Sequence, residues 1–151
     1  MNIRRLSSIL LSVVVFFTLF SRVGATESAA KTEIKGSAIL AHPCGKVAVK
    51  HMGLVHAGKL EEAFKLGTKE MQEQWKAMPA ADQKMMSGMM KEMSKTEAEF
   101  SAEIKASGLL VVEGKNATLT VKQEHEDANG SSTETLTQRY ALDGASCLIS
   151  R

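Results

Sequence analysis

Residues 109–151 read LLVVEGKNATLTVKQEHEDANGSSTETLTQRYALDGASCLISR, and the fold is decided by how this stretch pairs with itself. Apolar and polar residues alternate along it, the two-residue period of half-buried strands, and three dipeptides interrupt the alternation: Gly114-Lys115, Asn129-Gly130 and Asp143-Gly144. A tight turn at the first sets Val112 opposite Ala117 and Leu110 opposite Leu119. A two-residue primed turn at the second sets Leu119 opposite Tyr140 and Ala117 opposite Leu142. The third then sets Leu142 opposite Ala145, Tyr140 opposite Cys147 and Gln138 opposite Ile149. The apolar residues share one face through all four strands, while Thr118, Thr120 and Lys122 take the other. A one-residue slip at any turn would invert the faces of a strand. Their agreement therefore predicts a four-stranded antiparallel meander.

Upstream of Gly108 the period is helical. Pro43 suits the first turn of a helix carrying Val47, Val49, Met52, Leu54 and Val55, which closes around Gly58. A second helical stretch holds Leu60, Ala63, Phe64 and Leu66, continuing through Met71 and Trp75 after a break near Gly67-Thr68. Pro79 opens a third, with Asp82 in its first turn, where a carboxylate complements the helix dipole. In it Met86, Met89, Met90, Met93, Phe100 and Ile104 form one apolar stripe that ends at Gly108. The expected class is α+β: N-terminal helices packed on a curved C-terminal four-stranded sheet.

The N-terminus has Arg4 and Arg5, an apolar run over Ile9 to Phe20, and a small-residue end at Val23-Gly24-Ala25, the three-part pattern of a cleavable signal peptide. Cleavage is expected after Ala25. The run is shorter than the roughly 20 apolar residues that span a bilayer, and no second such run follows, so no stable membrane anchor is expected after cleavage. Residues 26–38 read as a flexible leader, and 39–151 as a single domain. Losing Arg4, Arg5 and Arg22 removes three of 19 basic side chains and none of the 17 acidic ones, which takes the net charge from +2 to slightly negative. With no basic cluster and 5% aromatics, nucleic-acid binding is set aside.

Two cysteines remain, Cys44 at the start of the first helix and Cys147 on the inward face of the last strand. An even count in an oxidising compartment favours a bridge between them, and two buried free thiols are the alternative. The expected location is periplasmic or secreted.

The order of elements resembles a known family. Helices come first, then Ala57-Gly58-Lys59 leads into Leu60-Glu61-Glu62-Ala63, and a meander ends in Leu142-Asp143-Gly144 and a closing strand. Over roughly residues 42 to 151 this is similar to the nuclear transport factor 2-like, or cystatin-like, superfamily, especially its small exported bacterial members. The closing strand departs from that pattern, with Cys147-Leu148-Ile149 where Trp and a charged residue are common. The resemblance implies a cone-shaped sheet around a pocket roofed by helices, and a homodimer through the outer face at Thr118, Thr120 and Lys122. Its members include isomerases, dehydratases, hydrolases and proteins with no catalysis, so the fold does not choose among them.

The chemistry-bearing residues are few. His51 and His56 on one helix lie about 140° apart around its axis and cannot chelate one metal together; His42 stands at the helix start and His125 in the meander. Met71, Met78, Met85, Met86, Met89, Met90 and Met93 crowd one segment. Thioethers select Cu(I), which names periplasmic copper handling with Met85, Met89 and Met93 as candidate ligands, but the stripe spacing favours core packing or partner contact. Phe64, Trp75, Met89, Met93, Leu119 and Tyr140 are the expected lining of a ligand pocket. Asp82, Asp127 and Asp143 fall at a helix start and at turns, where capping explains them. Asn116-Ala117-Thr118 and Asn129-Gly130-Ser131 match glycosylation acceptors, which the bacterial resemblance makes turn residues only. No nucleophile motif, phosphate loop or metal-hydrolase signature is present, and no cofactor is expected. The leading expectation is a non-catalytic exported domain binding a small apolar ligand or an envelope protein. A pocket enzyme is the alternative, and a copper-binding protein the second alternative.

Overall fold

The alternating segment forms its meander and gains a strand at one edge. The computed structural model describes residues 30–127 and 130–151, without the side chains of 124–127 and 130–131. The expected signal peptide and its cleavage point after Ala25 lie outside these residues. Strand β1 (Lys31–Lys35) is followed by helices α1 (Ser37–Ala41), α2 (Pro43–His56), α3 (Leu60–Phe64), α4 (Lys69–Ala77), α5 (Ala80–Met93) and α6 (Glu97–Ser107). Strands β2 (Leu109–Glu113), β3 (Asn116–Asp127), β4 (Gly130–Asp143) and β5 (Ser146–Ser150) complete the chain. All neighbouring pairs are antiparallel, in the open order β1-β2-β3-β4-β5.

Two expectations are corrected here. The sheet has five strands rather than four. Residues 26–38, expected to be a flexible leader, contain β1, whose Ile34 pairs with Leu110 and whose Lys31, Glu33 and Lys35 are exposed along the edge. Charged residues on an edge strand discourage pairing with other chains.

The first hairpin has the expected register, Val112 opposite Ala117 and Leu110 opposite Leu119. The next two differ by two residues. Ala117 faces Tyr140 and Leu119 faces Gln138; Tyr140 faces Ile149 and Leu142 faces Cys147. The cause is where each loop sits. Gly114 and Gly144 each occupy the first position of a two-residue loop, at φ 57° and 59°, a conformation that side chains with a Cβ resist. Asp143 therefore stays in the ladder opposite Ser146. In the middle hairpin Gly130 is also a ladder residue, opposite Asp127, while Asn129 of the expected turn lies outside the described residues. Moving a loop by one residue moves the pairing by two, which leaves the described side chains on their expected faces.

That shared face is the main core. Leu110, Ala117, Leu119, Val121, Tyr140, Cys147 and Ile149 meet Ile39 of α1, Cys44 and Ala48 of α2, and Phe100 and Ile104 of α6. Cys44 and Cys147 form a disulfide across the layers, closing a sequence separation of 103. Such a bond is compatible with an oxidising location, and no helix among the described residues is long and apolar enough to cross a membrane.

Helix ends follow local chemistry. His42 caps α2, its Nδ1 accepting from the Cys44 N–H at 3.2 Å, with Pro43 in the first turn. At the far end Gly58, at φ 73°, lets the Lys59 N–H reach the Leu54 carbonyl and its own N–H reach that of Val55, closing the helix. The single helix expected from Pro79 to Gly108 is instead two. A capping box restarts the chain at Thr96: its hydroxyl accepts from the Glu99 N–H, and the Glu99 carboxylate accepts from the Thr96 N–H. Hydrogen bonds from Thr96, first its hydroxyl and then its backbone, hold the Glu99 carboxyl below the usual carboxylate range.

Candidate functional site

Helices α3, α4 and α5 build a second apolar cluster around Trp75, while Met71 of α4 packs against the main core. Val55, Leu60 and Ala63 are buried with Trp75, and Phe64, Met78, Met86 and Met90 pack against this second cluster. This annex is fastened to the sheet by backbone, since the Thr68 N–H donates to the Ile149 carbonyl at 2.9 Å and the Ile149 N–H to the Leu66 carbonyl at 3.0 Å. The Leu66–Thr68 segment thus covers the outer edge of β5.

A cleft of about 320 Å³ opens in the annex, lined by Glu61, Phe64, Lys65, Gln72, Trp75, Lys76 and Gln83. Its wall is a stacked aromatic pair: the Phe64 and Trp75 rings lie 4.4 Å apart between centroids and 12° from parallel. Two glutamines fix its shape. Gln83 Nε2 donates to the Trp75 and Met78 carbonyls at 2.8 and 3.1 Å, tying the end of α4 to the start of α5. Gln72 Nε2 donates to the Gly67 carbonyl at 3.0 Å. Lys65 pairs with Glu61 at 3.3 Å, whereas Lys76 is in no ion pair among the described residues. A wider, shallower hollow between α2 and α6, lined by Leu40, Lys46, Val49, Lys50, Glu97 and Ser101, has no aromatic wall.

The six residues expected to line one pocket are divided among three places. Phe64 and Trp75 wall the cleft. Leu119 and Tyr140 are buried in the main core, and Met89 and Met93 are on the surface of α5. The methionine stripe divides with them. Met86 and Met90 face Trp75, whereas Met85, Met89 and Met93 are 63%, 57% and 80% exposed, so the core packing expected for Met89 and Met93 does not hold. Successive positions i, i+4 and i+8 advance about 40° each around the axis, so these three form one slanting row beside the buried edge. What the sequence reading missed is the polar rim of Glu61, Lys65, Gln72, Lys76 and Gln83; the only hint was Gln83 one turn after Pro79, placed to reach back over the bend.

His42, His51 and His56 do not gather. His42 caps α2, burial lowers the proton affinity of His51, and His56 places Nδ1 3.4 Å from the Ser94 carbonyl oxygen. The side chain of His125 lies outside the described residues. No group of three His, Cys, Asp or Glu among the described residues is arranged to hold a metal.

Tyr140 is 1% exposed, and burial pushes its phenol well above the ordinary range. The folded chain therefore holds that proton more tightly than the unfolded chain does. Stability from this group is full below about pH 10 and falls as the pH rises past it. As the only tyrosine, Tyr140 gives a direct readout. Tyrosinate absorbance is expected to appear only together with alkaline unfolding, and Tyr140→Phe should flatten the alkaline loss of stability. Reversible ionisation of a still-folded chain near pH 10 would contradict the burial.

Comparison with family models, curated proteins and solved structures returns no match for this chain, so the resemblance to the nuclear transport factor 2-like superfamily rests on the order of elements alone.

Proposed function

We propose that this chain is an exported, disulfide-stapled binding domain whose cleft takes a small planar apolar molecule bearing an anionic group. The stacked Phe64–Trp75 wall carries the reading. It offers a flat apolar surface inside a concave site, the combination that small-molecule sites use. The rim supplies polarity and sign. With Lys65 already paired to Glu61, Lys76 is the cation available to an incoming anion. Export is supported by the basic, apolar and small-residue pattern ending at Ala25, and by the Cys44–Cys147 bond.

Trp75 is the only tryptophan, so its indole N–H resonance reports on the cleft without labelling by mutation. Titration with 2-naphthoate is expected to shift that resonance. 2-Naphthol, of the same shape but uncharged at neutral pH, should bind about tenfold more weakly, the worth of roughly one charge-assisted contact. Lys76→Met is expected to abolish the preference for the anion while leaving the naphthol affinity in place. Phe64→Ala should weaken both ligands by about tenfold or more. If neither naphthoate nor naphthol moves the indole signal, the cleft is not a binding site.

A further inference from the structure

The two glutamines of the cleft are each held in one orientation, which decides what they can offer an occupant. Gln83 Nε2 donates to the Trp75 carbonyl at 2.8 Å and to the Met78 carbonyl at 3.1 Å. Gln72 Nε2 donates to the Gly67 carbonyl at 3.0 Å and to the Lys65 carbonyl at 3.4 Å. An amide nitrogen of this kind has two hydrogens, so both donors of each side chain are engaged by backbone. Turning either amide over would set its oxygen against carbonyl oxygens, which have no hydrogen to give, so the partners fix which atom is nitrogen. What each glutamine retains is Oε1, an acceptor with no protein donor among the described residues. Both side chains are partly buried.

The two glutamines come to the cleft from different helices. Gln72, Trp75 and Lys76 are spaced three and four apart on α4 and share one face of it, whereas Gln83 reaches back from α5 over the bend between the helices. Glu61, the other acceptor of the rim, is paired with Lys65 and largely exposed, so water competes for it. Resting on the reading of the cleft as a site for a planar anion, we infer that its occupant is an aromatic ring system with an N–H or O–H donor on its edge. Gln72 Oε1 or Gln83 Oε1 accepts from that donor while Lys76 meets the anionic group. A bare hydrocarbon ring would cover the same aromatic wall but strip water from these oxygens and return no hydrogen bond. Leaving such an acceptor dry costs more than a made hydrogen bond gains. Rings with a donor are therefore selected over rings of the same outline without one.

The test reads the indole N–H resonance of Trp75 in isotope-labelled, disulfide-intact protein. Indolecarboxylates with the acid at each position of the benzo ring are titrated beside benzofurancarboxylates of the same outline, in which a ring oxygen replaces the N–H. The best-bound indole acid is expected to bind about tenfold or more tightly than its benzofuran counterpart. Lysine tests the acceptor directly, because its ammonium group still donates to the backbone carbonyls but accepts nothing. At whichever glutamine takes the N–H, Gln72→Lys or Gln83→Lys should bring the two affinities within about twofold of each other. The added positive charge acts on both acids alike and leaves their ratio unchanged. Equal affinities of the two series for the wild-type protein overturn the inference while leaving the cleft a site for planar anions. A preference that survives in both lysine variants overturns it too, since the N–H then has another acceptor. If neither series moves the Trp75 signal, the reading of the cleft as a binding site fails and this inference falls with it.

Discussion

Replacing Cys44 and Cys147 together with alanine is expected to lower the stability of the fold by about 4–5 kcal/mol, moving the urea midpoint down by about 2–4 M. The cross-link spans a sequence separation of 103, and chain-entropy accounting assigns about 4.7 kcal/mol to a closed loop near that length. It also joins the first turn of α2 to the last strand, so it restrains the two layers of the main core against each other. Small domains have only about 5–15 kcal/mol in hand, so the variant is left near the edge of folding. Reduction of the wild-type protein should reproduce the loss. Alkylation of unreduced protein, isolated after oxidative export, should label no thiol. A midpoint unchanged by both treatments would mean that packing of α2 on the sheet suffices alone.

The sheet was largely legible because its signal has period two. Each side chain in the meander has only two faces available, and errors in loop placement shifted the pairing by two, which faces do not register. Leu119, Tyr140 and Cys147 therefore look toward the same core although the expected pairings of Leu119 with Tyr140 and of Tyr140 with Cys147 are not made. Strand β1 was not legible, since Lys31-Thr32-Glu33-Ile34-Lys35 has a single large apolar residue and makes sense only once β2 is beside it. The break before α6 was legible in principle: Thr96 and Glu99 have the spacing of a capping box, which continuity of the apolar stripe obscured.

The candidate sites were less legible, for a different reason. On α5 the five methionines occupy a continuous arc of about 140°, and periodicity alone does not say where the buried boundary crosses it. The boundary is set by Trp75, some ten residues upstream, which takes Met86 and Met90 and leaves the neighbouring row outside. The cleft likewise depends on tertiary placement. Phe64 and Trp75 come from different helices, and they stack across the bend between α3 and α4 at which Gln72 holds the Gly67 carbonyl.

A single added methyl group gives the sharpest test of how α1 sits on α2. In Gly45→Ala the new Cβ would lie 1.9 Å from the Ile39 carbonyl oxygen and 2.6 Å from its carbon, distances that require backbone to move. That carbonyl accepts from the His42 N–H at 3.0 Å, and the Ile39 side chain is fully buried among Cys44, Phe100 and Ile104. Relief therefore breaks a hydrogen bond or withdraws Ile39 from the core. The alanine's helix preference offsets about 1 kcal/mol at most, so a net loss of about 3 kcal/mol or more is expected, at the upper end for overpacking. Gly88→Ala is the internal control. With open space at its Cβ, it should raise stability by up to about 1 kcal/mol. Parallel urea titrations read both. Equal, small effects at the two positions would show that Ile39 does not press on Gly45 in solution, and α1 would then have to pack elsewhere.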